Sequence, residues 1–407
     1  MRASPTAPAA SADTASPADG SAATAERRPA AGPTGERRGS EPAGTAPAPR
    51  APRTPPAPRT SQTAQASQAA SPARDAFFDN AKYLAIVLVA MGHAWEPMRD
   101  GSRVVTALYT LVYAFHMPAF IVISGYFSRN FDASPARVKR LVTGVVVPYV
   151  VFEVAYTFYT RWTDHVPDRP ISLLSPLYLT WFLAALFVWR LTTPIWRMVR
   201  RPLPVALAVA MLASLSPSIG HDLDLQRVLQ FLPYFVLGLC LKPAHFRLVR
   251  RRALRVLAVP VFAGAFAVAY WSAPWVDYAW LFHKESAQGL GAPAWQGPVV
   301  TVALFACSVL LVACFLSWVP GRRTWFTALG AGTLYGYLLH GFVAQGAKSW
   351  GWYDPAWMRG AAGTIVATVV AGAVVTLLCT SPVRRALRFA VEPELRWAFR
   401  PPAGRPA

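Results

Sequence analysis

The sequence predicts an all-α protein that crosses a membrane about ten times, behind a disordered N-terminal tail. Three observations carry that expectation. The 407-residue chain is 54% hydrophobic but only 15% charged, a sparseness of charge foreign to a large soluble protein. From Phe77 onward, apolar stretches recur between short polar breaks, as a polytopic bundle requires. The basic residues then gather in every second break, the pattern by which positive charge orients membrane helices.

Residues 1–74 contain no Leu, Ile, Val, Phe, Trp or Tyr. Such a segment cannot bury enough surface to offset its ordering entropy, so disorder is expected. It has no apolar core of the kind a signal peptide needs. Its nine arginines against five acidic residues favour the cytoplasmic side. A membrane domain follows over 75–390, with spans at 80–98, 104–128, 138–160, 176–198, 203–219, 225–241, 254–272, 297–318, 325–346 and 360–380, and 391–407 forms a short cytoplasmic tail. Several spans contain Pro or Gly, which membrane helices tolerate. The stretch at 203–219 is short, which leaves nine or eleven spans open.

The loops test the count independently. Arg129, Arg137, Lys139 and Arg140 follow the second span, and Arg197, Arg200 and Arg201 the fourth. Lys242, Arg247, Arg250, Arg251, Arg252 and Arg255 follow the sixth, Arg322 and Arg323 the eighth, and Arg384, Arg385 and Arg388 the tenth. The alternate loops hold most of the acids, including Asp164, Asp168, Asp222, Asp224, Asp277 and Glu285. Both termini are therefore expected in the cytoplasm, and the protein as a multi-pass component of the cell (cytoplasmic) membrane. The same distribution explains the net charge of +20 without a nucleic-acid partner, which is not expected. Cys240, Cys307, Cys314 and Cys379 all fall in apolar segments, without metal spacing, and read as small hydrophobes. No metal is expected.

Polar groups inside the spans point to a site. His93, His116 and His340 lie within apolar stretches, where an ionisable side chain is costly and by default faces the protein interior. Lys82 precedes His93 by eleven residues, which on a helix is about 20° from in-line and a rise of about 16 Å. Asp79, Lys82 and His93 thus share one face of the first span. Each group also has a plain structural reading. His116 precedes Met117-Pro118 and could bond a carbonyl freed by the proline. Glu153 has Tyr149 and Tyr156 one turn to either side and could be a hydrogen-bonding hub. Arg190 could snorkel to the headgroups.

Neutral imidazole titrates close to working pH, so it can take a proton from a hydroxyl and return it to a leaving thiolate. Intramembrane imidazoles with basic groups at one mouth and no metal spacing suit acyl transfer to an alcohol. Neither a GxSxG elbow nor an HExxH pair is present, so hydrolase and zinc-protease readings lack their motif. Ser124-Gly125 removes bulk at the end of the second span, letting a backbone or ligand approach. Arg137-Val138-Lys139-Arg140 follows and could hold phosphate through charge-assisted hydrogen bonds, or simply anchor the loop.

At these residues the chain resembles the acyltransferase-3 family of integral-membrane O-acyltransferases, and within it the fucose 4-O-acetylase-like group, over about residues 77–390. The resemblance rests on the spacing of Lys82 and His93, and on the run from Phe115-His116-Met117-Pro118 to Ser124-Gly125-Tyr126-Phe127. It rests also on the pair Arg137 and Arg140, and on Trp181-Phe182-Leu183 with Tyr337-Leu338-Leu339-His340. It implies transfer of an acetyl or other acyl group from acetyl-CoA or another acyl-CoA. The acceptor would be a hydroxyl of a sugar, surface polysaccharide or secondary metabolite. By the resemblance His93 would be the catalytic base, joined by His116, with Lys82, Arg137, Arg140 and Ser124 serving the acyl-donor end. Asp79, Glu153, Tyr126, Trp181 and His340 would bind substrate or support the site. Lys82 stands where many relatives have Arg, so bidentate phosphate contact is lost there. The competing expectation is a multi-span transporter or flippase in which His93, Glu153 and His340 relay protons. Such proteins often carry internal repeats, and the two halves of this chain show no convincing similarity.

Overall fold

A computed structural model describes residues 75–220, 222–395 and 397–399. The expected tail over 1–74 lies outside the described residues, as does most of the expected C-terminal tail. Among the described residues every regular element is helical.

Helix α1 (Ala76–Trp95) starts where the Asp75 side chain accepts from the Phe77 amide at 3.0 Å, an N-cap that satisfies one orphan donor. It stops at Glu96-Pro97, where the chain tightens into a 3₁₀ turn over Glu96–Gly101. The second expected span forms as α2 (Arg103–Tyr113) and α3 (His116–Ser128). The interruption falls at the carbonyl of Ala114, four residues before Pro118, where the proline ring would clash in a continuous helix. The third span repeats the device. After α4 (Pro135–Leu141) a π-helical turn over Val142–Val146 precedes α5 (Val147–Thr163), which accommodates Pro148.

The chain continues through α6 (Trp181–Met198), α7 (Pro202–Leu215), α8 (Leu225–Gln230) and α9 (Leu232–Cys240). Next come α10 (Pro243–Val249), α11 (Arg252–Ser272), α12 (Gln296–Trp318), α13 (Thr333–Ser349) and α14 (Ala361–Leu378). Among the described residues, five segments are long and apolar enough to cross a membrane: Arg103–Ser128, Pro135–Thr163, Arg252–Ser272, Gln296–Trp318 and Ala361–Leu378. The other expected spans coincide with helices that are shorter or more polar. Helix α7 has 14 residues, α8 and α9 are divided ahead of Pro233, and α1, α6 and α13 carry the charged or imidazole side chains that lower their hydropathy.

Helices α11 and α14 turn broad apolar faces outward, with Val268 65% and Val369 63% exposed. That is the surface a bilayer, not water, would cover. Inside, α1 packs against α2, α3, α13 and α14. The closest pairing joins α3 to α9, where Gly125 and Gly238 face each other with no room for a side chain on either.

Near its start α1 is tied down by Asn80, which is fully buried. Its amide donates to the carbonyls of Pro320 and Arg322 at 2.8 and 3.0 Å, and its carbonyl accepts from the Thr327 hydroxyl at 2.7 Å. Truncation leaves those buried partners unsatisfied, so Asn80→Ala is expected to cost about 3 kcal/mol. The thermal unfolding midpoint of the purified protein in detergent would report it, and an unchanged midpoint would show that the network contributes nothing.

Candidate active site

The two ends of α1 carry different chemistry. Toward its start, Lys82 Nζ pairs with Asp79 Oδ1 at 2.8 Å. Eleven residues on, in the last turn, stands His93. The rise of about 16 Å between them keeps the Asp79–Lys82 pair away from the imidazole.

Around His93 the chain gathers groups from four separate segments. Its Nδ1 lies 3.2 Å from the Tyr178 hydroxyl and 3.4 Å from Glu96 Oε2. That carboxylate is held in turn by Lys348 Nζ, at 2.9 Å. A carboxylate in an ion pair only accepts, so the contact fixes the Nδ1 proton on His93 and leaves Nε2 with its lone pair. The His340 ring stands 5.5 Å away, and the Tyr113 ring 6.2 Å.

The same tautomer recurs at the other two imidazoles. His116 Nδ1 donates to the Val112 carbonyl at 2.8 Å, and His340 Nδ1 to the Gly336 carbonyl at 2.9 Å. In the neutral ring each Nε2 is then an acceptor. That of His340 is buried and has no partner among the described residues.

His93 and His116 line one cavity of about 240 Å³, together with Glu96, Tyr178, Trp181 and Arg227. The Arg227 guanidinium pairs with Asp224 at 3.1 Å and lies over the Trp181 ring, 4.8 Å from its centroid. Its Nε donates to the Phe282 carbonyl at 3.1 Å, which holds the 278–285 loop against the cavity. Behind that loop His283 Nδ1 meets Gln230 Oε1 at 3.1 Å. Burial, with the Arg227 cation beside it, holds the His283 imidazole down to about 3, so this ring is neutral at neutral pH.

Tyr178 reaches His93 through a loop stitched from behind. Glu153 accepts from the Leu177 amide at 3.0 Å and from the Thr180 hydroxyl. Tyr337 donates to the Leu179 carbonyl, and Tyr156 to that of Leu338 at 2.7 Å. Within this frame Tyr178 sits in the left-handed region, at φ 58°. Glu153 therefore stands behind the cavity wall and orders the loop that delivers Tyr178.

The remaining expected residues lie elsewhere. Tyr126 stacks on Phe78, near the start of α1, with ring centroids 5.1 Å apart, and the Arg129 guanidinium lies 3.9 Å over its ring. Ser124 is one turn before Ser128, whose hydroxyl donates to its carbonyl at 2.7 Å and receives Arg190 Nε at 3.2 Å. Arg137 lies 3.5 Å from Asp132, and Arg140 is exposed on α4. Neither arginine reaches the His93 cavity. Sequence reasoning did not single out Glu96, Tyr178, Tyr113, Arg227 or Lys348. Only Glu96 left a local trace there, standing three residues after His93, a spacing that places both on one helical face.

A protein-family model described as an acyltransferase domain (acyltransferase-3) matches residues 75–383. Neither curated proteins nor solved structures provide a match. The matched region runs from the start of α1 past the end of α14 and takes in every residue placed above, from Asp79 to Lys348. The chain thus belongs to the acyltransferase-3 family, and with its apolar spanning helices it is a membrane acyltransferase.

Proposed function

We propose that the protein is an O-acyltransferase of the cell membrane that moves an acetyl or other acyl group from acyl-coenzyme A to a hydroxyl. The acceptor belongs to the sugars, surface polysaccharides or secondary metabolites, and the fucose 4-O-acetylase-like group is the nearest functional setting. In this reading the helices form ten spans with both termini cytoplasmic, and Lys82, Arg137 and Arg140 serve the charged end of the donor.

One observation carries the proposal: His93 is anchored through Nδ1 by Glu96 and Tyr178, which turns the basic Nε2 free for an acceptor. In the reaction the acceptor oxygen forms its bond to the thioester carbon while its proton passes to His93 Nε2. The carbon–sulfur bond breaks, and the departing thiolate takes that proton from the imidazolium. Glu96, paired with Lys348, steadies the imidazolium between the two transfers.

Thiol release from acetyl-coenzyme A by the purified, detergent-solubilised protein tests this, with and without a crude glycan or metabolite extract. Extract-dependent release supports acyl transfer; no release from any acyl thioester tried would remove it.

The anchoring pair has its own test. Glu96→Gln keeps the shape but loses the charge opposite the imidazolium. Turnover is expected to fall about 100-fold while KM for the donor stays within a factor of two or so. A KM effect alone, with turnover intact, would place Glu96 in binding instead.

A further inference from the structure

A second cavity, of about 220 Å³, is lined by His340, whose ring stands 5.5 Å from that of His93 in the first. It exists because three helices contribute small side chains where they meet: Ala90 and Ala94 on α1, Ala344 and Ala347 on α13, Ala367 and Ala371 on α14. Its outer rim is Val366 and Val370 of α14, which are 42% and 46% exposed. That rim lies on a helix apolar enough to span a membrane, so the mouth faces hydrocarbon. Trp352 and Trp357 stand at the end nearer Glu96 and Lys348, where indoles favour a bilayer interface.

The inner wall holds an imidazole with an unused buried nitrogen. His340 is 3% exposed, and its Nε2 has no partner among the described residues. With Nδ1 committed to the Gly336 carbonyl, that nitrogen can only accept. Leaving it unsatisfied costs about 1–3 kcal/mol. A lone water needs two to four or so polar partners, and besides His340 the lining side chains offer only the Tyr353 hydroxyl and the indoles of Trp352 and Trp357 among alkyl groups. A cationic amine would carry charge into hydrocarbon at high cost. The complement is a neutral O–H on an apolar body.

From this we infer that the cavity binds a lipophilic alcohol entering from the bilayer, its hydroxyl donating to His340 Nε2. The His93 ring centroid lies 5.5 Å from that of His340, so rotation of the bound hydroxyl about its C–O bond would move its proton from the resting bond at His340 Nε2 to the proposed base, His93 Nε2. The inference rests on the acyl-transfer reading and deepens it, because it makes the acceptor hydrophobic.

Photolabelling with 3-azi-1-octanol tests binding without needing turnover. The full-length protein in lipid nanodiscs is labelled, digested and mapped by mass spectrometry, with 1-octanol or octane as competitor. Labels are expected on α13 and α14, with 1-octanol competing about 10-fold better than octane, the difference one hydrogen bond provides. His340→Phe should retain labelling but abolish that preference, and Ala344→Trp should fill the cavity and remove the label. His340→Asn, which keeps an acceptor, guards against a variant that fails to fold. Equal competition by octane, or labels spread evenly over the outward faces of α11 and α12, would overturn the inference.

A parallel assay compares thiol release from acetyl-coenzyme A with 1-octanol or methyl glucoside as acceptor. Labelling as expected with no release from either acceptor would leave the alcohol site standing and remove the acyl-transfer reading. Release with methyl glucoside alone, and octane competing equally, would do the reverse.

Discussion

Folded His93→Ala protein is expected to release thiol from acetyl-coenzyme A at about a thousandth of the wild-type rate or less. A positioned general base contributes about 10²–10⁴-fold, and here the base also returns its proton to the leaving thiolate, so its removal acts on both transfers. The neighbouring imidazoles are poorer substitutes. His116 and His340 present the same Nε2 acceptor, but each donates Nδ1 to its own helix backbone and not to a carboxylate, and the His340 ring centroid is 5.5 Å from that of His93. The donor's charged end, at the Lys82 mouth in the proposed reading, is untouched, so KM for the thioester should barely move. Size-exclusion profile and unfolding midpoint must match wild type for the comparison to count; His93 is partly accessible and belongs to none of the buried hydrophobic clusters. Retained turnover would remove His93 from the chemistry and shift attention to His116.

The largest structural effect is expected where α3 meets α9. A methyl group on Gly125 would run into the Phe235 carbonyl and come within 3.1 Å of the Gly238 Cα, and one on Gly238 would run into the Val122 carbonyl. These are backbone atoms, which cannot rotate aside as a side-chain end can. Gly125→Ala therefore requires the helices to part, against a core that includes Phe235 and Ile121. Overpacking costs about 1–3 kcal/mol, occasionally more, and with backbone on both sides the upper end applies. The double variant Gly125→Ala, Gly238→Ala should not yield monodisperse protein in detergent. If the single variant unfolds at the wild-type midpoint, the close approach of α3 and α9 is not what holds this part of the bundle.

How much of this was legible beforehand follows from the range of each interaction. The helices announce themselves locally, through apolar runs and basic breaks. Even their interruptions are partly readable, because Pro118 and Pro148 act on carbonyls four residues behind them. His93, His116 and His340 stand out because an ionisable ring in an apolar run has few explanations. The partners of His93 do not. Tyr178 is 85 residues away in a loop with no regular pattern, and Lys348 sits near the end of α13, where a basic residue reads as an ordinary helix terminus. Helical geometry set Lys82 and His93 on one helix, but it carried no information on which neighbours each would meet. The pairing of Lys82 with Asp79 was within reach at three residues' spacing. The separation of Arg137 and Arg140 from the cavity was not, because it depends on how α4 leaves the bundle.

The loop that carries Tyr178 has a consequence for anyone scanning this protein by mutation. Its left-handed backbone at Tyr178 is a conformation a tyrosine adopts only when its surroundings impose it, at a cost of about 1–3 kcal/mol. Here the imposition comes from Glu153 and Tyr337, which grip the residues on either side. Loss of either grip would let the loop relax and draw the phenolic hydroxyl away from His93 while the fold stays whole. Glu153 would then score as indispensable in an activity screen although it touches no reactant, and intolerance to substitution in this family would mark carpentry as readily as chemistry.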